Sequence, residues 1–136
     1  MTPRISLFIA ALHVLLYLAL SLRVVLRRRS SMVGLGSGGD EVLSRRVRVH
    51  ANFAEYVPLA LVLLALLELC GAAASLVWAC GLALLAARVL HAIGLGASAG
   101  YSLGRFAGAL LTFVLLLVMA LAGVWQMLAL QMLPAQ

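Results

Sequence analysis

Arg48-Val49-His50-Ala51-Asn52-Phe53-Ala54-Glu55-Tyr56-Val57-Pro58 is the stretch that decides how this chain is read. It runs straight into the apolar segment Leu59–Leu67, so it has the place of the entry turn of a membrane-spanning helix. At about 100° per residue, Arg48, Asn52 and Glu55 share one face and Tyr56 lies beside them. A charged side chain at the centre of a membrane helix costs on the order of 2.5–3.5 kcal/mol on insertion scales. Such groups persist where they face protein or a wet cavity, and the stretch predicts a polar site inside a helix bundle. An alternative reading has Arg48 and Glu55 as an internal ion pair bridged by Asn52, which sets helix register and binds nothing.

Composition supports the membrane assignment. Of 136 residues, 65% are hydrophobic and 10% charged, whereas soluble domains run about half apolar and a quarter charged. Mean hydropathy is +1.16, and an integral membrane protein follows. The net charge of +6 rests on arginine alone, with no lysine in the chain. No basic face interleaved with exposed aromatics is visible, so no nucleic-acid partner is expected. The arginines gather at segment ends, which is how membrane topology is encoded. Cys70 and Cys80 lie in apolar surroundings without other ligand-type residues, and they are expected to be small buried thiols. No metal site is predicted.

Four helices account for the chain as a single all-α domain over residues 1–136. The first covers about residues 5–26. Its length and the trailing Arg27-Arg28-Arg29 favour an anchor over a cleaved signal peptide. His13 within it is expected to be hydrogen-bonded between helices rather than to ligate anything. Residues 30–41 hold the only Gly/Ser-rich stretch. No Gly-Lys-Ser/Thr follows and no strand precedes it, so it fails the context of a phosphate loop and is expected to be a flexible connection. Asp40 and Glu41 suit the N-terminus of a second helix over about residues 42–69. Pro58 interrupts its hydrogen bonding, and Glu68 near its end is expected to be solvated or capping.

A third helix is predicted over about residues 75–93, with Trp78 as an interfacial anchor. Arg88 and His91, three apart, share a face near its end. The plain reading has them reaching back to the interface. Gly94 to Gly104 is expected to be a loop, and Arg105 opens a fourth helix over about residues 105–130. Gly108, Ala109, Ala120, Ala122 and Gly123 allow close helix approach there. Four spans put Arg27, Arg28, Arg29, Arg45, Arg46 and Arg105 on one side and Arg4 on the other. By the positive-inside rule the arginine-rich loops are then cytoplasmic and both termini periplasmic.

The string R-V-H-A-N-F-A-E-Y-V-P closely resembles the second-helix motif of the MAPEG family, the membrane-associated proteins of eicosanoid and glutathione metabolism. That motif is Arg, any three residues, Asn, any two, then Glu, often with Tyr and a nearby Pro. The resemblance implies an integral membrane four-helix bundle, assembled as a homotrimer with sites between subunits. It implies glutathione as co-substrate, held by Arg48, Asn52, Glu55, Tyr56, Arg88 and His91. Arg48 and Arg88 suit its carboxylates, Glu55 its ammonium, and Asn52 its peptide groups. An arginine at the start of helix four lies beside the glutathione sulfur in the family, and Arg105 takes that catalytic place here.

His50, about 200° around the helix from Arg48, is expected either to pack or to line a neighbouring subunit's pocket. One departure stands out: several members carry Tyr where this chain has Leu95, and Tyr101 is the nearby substitute. The implied activity is a glutathione transferase or peroxidase acting on a lipophilic second substrate from the bilayer. The alternative is a non-catalytic protein that keeps the scaffold, with Arg48, Asn52 and Glu55 as a structural network. The composition suggests a bacterial source, and so a multi-pass protein of the bacterial inner membrane.

Overall fold

In the computed structural model, which describes residues 2–97 and 102–131, four antiparallel helices run α1 Arg4–Ser31, α2 Glu41–Leu69, α3 Ala74–Ala97 and α4 Leu103–Gln131. Each is long and apolar enough to cross a membrane. α2 and α3 pack together at the centre. α1 lies against both, α4 pairs most extensively with α3, and α1 does not touch α4. The first and third connections therefore share one end of the bundle.

Two apolar clusters fill the interior. Near the α2–α3 turn, Ile9, Ala60, Leu64, Val77, Leu84, Leu115 and Met119 pack together. Toward the opposite end, Leu20, Val49, Phe53, Val57, Ala92 and Leu95 form the second. Between them, in register on all four helices, lies a layer holding His13, Asn52, Arg88, His91 and Thr112. All of these except Asn52 are buried. Polar side chains in a span are expensive unless turned inward, and here α1, α2 and α4 each contribute one to the layer and α3 contributes two.

The ends of the helices are tied by side chains. Asp40 caps α2, its Oδ1 accepting from the amides of Val42 at 2.9 Å and Leu43 at 3.0 Å. Its Oδ2 accepts from Arg27 Nε at 2.7 Å and Ser31 Oγ at 2.6 Å. Arg27, then Ser31 and the Leu43 amide, hold this carboxyl well below the usual carboxylate range. Arg28 Nη1 donates to the carbonyls of Val33, Gly34 and Gly36. The Gly/Ser connection, expected to be flexible, is thus gathered around one guanidinium, with Gly36, Gly38 and Gly39 at positive φ making the turns.

Glu68 is a cap for a different helix. Its carboxylate accepts from the backbone N–H groups of Ile5 at 2.9 Å and Ser6 at 2.7 Å, two of the unpaired donors that open α1. Glu68→Ala is expected to lower stability by about 1 kcal/mol, the usual scale for a lost cap, and to speed hydrogen exchange in the first turn of α1. Unchanged exchange there would show that the contact holds nothing.

Two expectations need correction. α3 continues through Gly94 and Gly96 to Ala97, so these residues are helical rather than part of a loop. The reason is contact. A β-carbon on Gly94 would stand 2.3 Å from the Arg105 nitrogen and 2.7 Å from the Gly104 carbonyl carbon. The glycines permit backbone-to-backbone packing of α3 on α4. Cys80 is buried, but Cys70, at the C-cap of α2, is exposed.

Candidate functional site

Arg88 is the centre of the polar layer. Its position on α3 puts it between the two apolar clusters, and it is 2% exposed. Nη2 donates to Asn52 Oδ1 at 2.6 Å and Nη1 to Thr112 Oγ1 at 3.4 Å. The guanidinium lies 5.9 Å from the centre of the Phe53 ring, within cation–π range. Thr112 gives its own proton to the Gly108 carbonyl at 2.7 Å, which leaves its oxygen lone pairs for Arg88. Arg88 Nε is enclosed without a partner among the described residues.

One turn on, His91 stands beside the start of α4. Its Nδ1 lies 3.2 Å from the Arg105 carbonyl oxygen. A carbonyl only accepts, so Nδ1 carries the proton. Nε2 is enclosed with no partner among the described residues. Gly108 sets this geometry, since a β-carbon there would meet the Ala87 carbonyl oxygen at 2.6 Å and the His91 nitrogen at 2.7 Å. Without that close crossing, Arg88 would not reach Thr112 nor His91 the Arg105 carbonyl.

Asn52, His91, Ser102, Arg105, Phe106 and Ala109 line a cavity of about 300 Å³, which Arg88 adjoins through its bond to Asn52. That volume is at the lower end of small-molecule sites. Arg105 is exposed at its edge, and its backbone N–H donates to Ser102 Oγ at 3.3 Å.

The structure divides the α2 motif between two surfaces. Asn52 turns inward to Arg88. Arg48 and Glu55 pair with each other at 3.5 Å, with side chains 64% and 46% exposed on the outer face of the chain. The stagger explains this, because Asn52 and Glu55 are separated by about 60° around the helix. Asn52 is not the bridge between Arg48 and Glu55. Tyr56 is half-buried and meets Phe113 edge-on at 5.4 Å. His50 faces α1, with its ring 4.8 Å from Tyr17 and Nε2 3.0 Å from Ser21 Oγ, away from the cavity. His13, expected to bond between helices, instead hydrogen-bonds its own helix, Nδ1 to the Ile9 carbonyl at 2.8 Å. Leu95 packs in the second apolar cluster and does not line the cavity. Tyr101 lies outside the described residues.

Sequence reasoning missed Thr112, Phe53 and Ser102. Thr112 had a signal, as the only hydroxyl in the apolar run of α4. A lone Thr in a membrane span usually has an interhelical or intrahelical partner.

The charges of the site are not balanced within the chain. The sequence holds four acidic side chains, and all are engaged elsewhere. Asp40 pairs with Arg27, Glu41 with Arg45 at 3.7 Å, Glu55 with Arg48, and Glu68 with the α1 amides. Arg88 and Arg105 have no carboxylate partner among the described residues. Arg88 is thus a buried guanidinium held only by neutral groups, beside a cavity that a second guanidinium, Arg105, lines.

Comparison with known proteins agrees with this architecture. A sequence model of the MAPEG family matches residues 6–125. Inner membrane protein YecN, from two strains of Escherichia coli, is 37% identical over 125 residues, covering 90% of this chain and 92% of the relative.

Proposed function

This chain belongs to the MAPEG family, and from that premise we propose that it is a glutathione-dependent transferase or peroxidase acting on a lipophilic electrophile. The observation that carries the reading is Arg88, a buried guanidinium with no carboxylate partner among the described residues, bonded to Asn52, which lines the cavity that Arg105 also lines. Glutathione brings two carboxylates to such a place. Arg88 takes one by a charge-assisted bond, while Asn52 holds peptide groups and His91 and Tyr56 form the wall. Arg48 and Glu55, on the adjoining face of α2, take the second carboxylate and the ammonium. A free thiol titrates near 8.5, and a guanidinium beside it favours the nucleophilic thiolate. Arg105 has that role.

Oligomerisation belongs to the same reading. Arg48 and Glu55 sit exposed on a membrane-spanning helix, where lipid is a poor neighbour for both. A homotrimer covers them with protein and places the site between subunits. His50, turned toward α1, has a packing role within its own chain or lines a neighbour's site. The inner membrane is the assigned location, by analogy with the YecN relatives. The arginine-rich end faces the cytoplasm.

The 3.5 Å contact between Arg48 and Glu55 favours a second reading, a scaffold protein in which this pair is structural and nothing turns over. Glutathione separates the two. At a hundredfold excess over Kd, a ligand that binds only the folded state adds about 2.7 kcal/mol. The proposed function requires a matching rise in unfolding temperature of the detergent-purified protein. Arg105→Leu is expected to leave glutathione Kd within a few-fold, raise the bound thiol's pKa and cut turnover. The measurement is thiolate absorbance against pH for both proteins. Absence of any glutathione-dependent stabilisation leaves the scaffold reading, and superimposable titrations remove Arg105 from the chemistry.

A further inference from the structure

At the arginine-rich end Arg23, Arg28, Arg29 and Arg46 have no carboxylate partner among the described residues. Asp40, Glu41 and Glu55 are engaged by Arg27, Arg45 and Arg48. Arg28 is spent on the carbonyls of the first connection, whereas Arg23 on α1 and Arg46 on α2 meet at one crevice, lined by Leu20, Arg23, Arg46, Val49 and Gly96. Arg46 Nη1 donates to the Arg23 backbone carbonyl at 2.9 Å, which draws it across onto α1. Arg23 reaches toward α3, its Nη2 standing 3.7 Å from where a β-carbon on Gly96 would be. Two like charges from different helices therefore converge where three helices meet. They repel unless something anionic comes between them.

Depth identifies what that is. Ile5–Leu22 contains no Arg, Lys, Asp or Glu and rises about 27 Å as a helix, close to the hydrocarbon thickness of a bilayer. Arg23 is the first charge beyond it, at the level of the lipid phosphates. Leu20 and Val49 beneath are buried, while Leu22, Val25 and Leu26 beside Arg23 are exposed. The crevice encloses only about 10 Å³, too little to surround a soluble solute, yet its rim presents two guanidiniums suited to phosphate oxygens.

We propose that Arg23 and Arg46 form a binding site for the phosphate of an anionic membrane phospholipid, its acyl chains lying along the exposed apolar face of α1. The site is separate from the glutathione cavity and stands whether or not that cavity is catalytic.

The test is a native mass-spectrometry titration of the detergent-solubilised full chain with phosphatidylglycerol and with phosphatidylcholine. Two interfacial arginines predict a preference for phosphatidylglycerol of roughly 30-fold. Arg23→Gln/Arg46→Gln should erase it. Arg23→Gln alone keeps the Arg46 bond to the backbone and should lose roughly fivefold. Arg29→Gln, at the same end but outside the crevice, should keep the parent preference. Equal binding of the two lipids by the parent protein overturns the site. A loss in Arg29→Gln as large as in the double variant overturns it in favour of diffuse charge. If inorganic phosphate at equal concentration displaces phosphatidylglycerol, the crevice takes a soluble anion and the lipid assignment is wrong.

Discussion

Arg88→Met should abolish measurable glutathione binding and leave the protein as stable as the parent, or more so. The two halves of this result have different causes. Burying a guanidinium costs several kcal/mol, even after relaxation, and replacing buried charge by an apolar side chain of similar volume is often neutral or stabilising. Arg88 has no carboxylate to offset that cost, only Asn52, Thr112 and the Phe53 ring. Methionine fills the space flexibly. Asn52 borders the cavity and regains water, and Thr112 keeps its bond to the Gly108 carbonyl.

For the ligand, losing a buried charge partner costs about 2–5 kcal/mol, which is roughly 30-fold to several thousand-fold in Kd. Calorimetric titration with glutathione and denaturant unfolding in detergent read the two quantities separately. A variant that loses several kcal/mol of stability, from a parent that never bound glutathione, would make Arg88 a structural keystone and end the functional reading.

Alanine at Gly108 and alanine at Gly123 should act in opposite directions. Both glycines lie in α4, and in a helix interior Ala is favoured over Gly by about 1 kcal/mol. At Gly123 the nearest atoms to a new β-carbon are leucine methyls at 3.8 Å, an ordinary contact, so the helix gain should show. At Gly108 the neighbours are the Ala87 oxygen at 2.6 Å and the His91 nitrogen and β-carbon at 2.7 and 2.8 Å. Two of these atoms are backbone, which has no rotamer to retreat into. α3 and α4 must part, at a cost of about 1–3 kcal/mol, with Val worse than Ala. Arg88 lies between Ala87 and His91, so the site moves with the helices and glutathione binding should fall with stability. Equal effects at the two positions would show that the crossing is looser than its geometry.

Much of this protein is legible in order along the chain. Four apolar runs with arginines at their ends dictate four membrane helices, because no other use of so much hydrocarbon surface avoids unpaired backbone in lipid. The dense motif from Arg48 to Pro58 carries the family, since Arg, Asn and Glu together are rare in a span. Glu68 near the end of α2 was readable as a capping group, though not as the cap of α1. That partner is about sixty residues away in sequence and adjacent only because α1 and α2 are antiparallel.

The remainder needed the third dimension. A hydrophobic period records which residues turn inward but not what they meet. Gly94 and Gly96 look like loop residues because glycine is poor in helices, and only the contact of Gly94 with Gly104 and Arg105 shows why the helix keeps a glycine there. The angular stagger between Asn52 and Glu55 is too small to assign to different surfaces until α3 is in place beside one of them. Above all, sequence counts ten arginines and four carboxylates but cannot say which remain unpaired. Pairing is decided by distances of a few ångströms between helices, and those left Arg88 buried behind the cavity that Arg105 lines and Arg23 and Arg46 at one crevice.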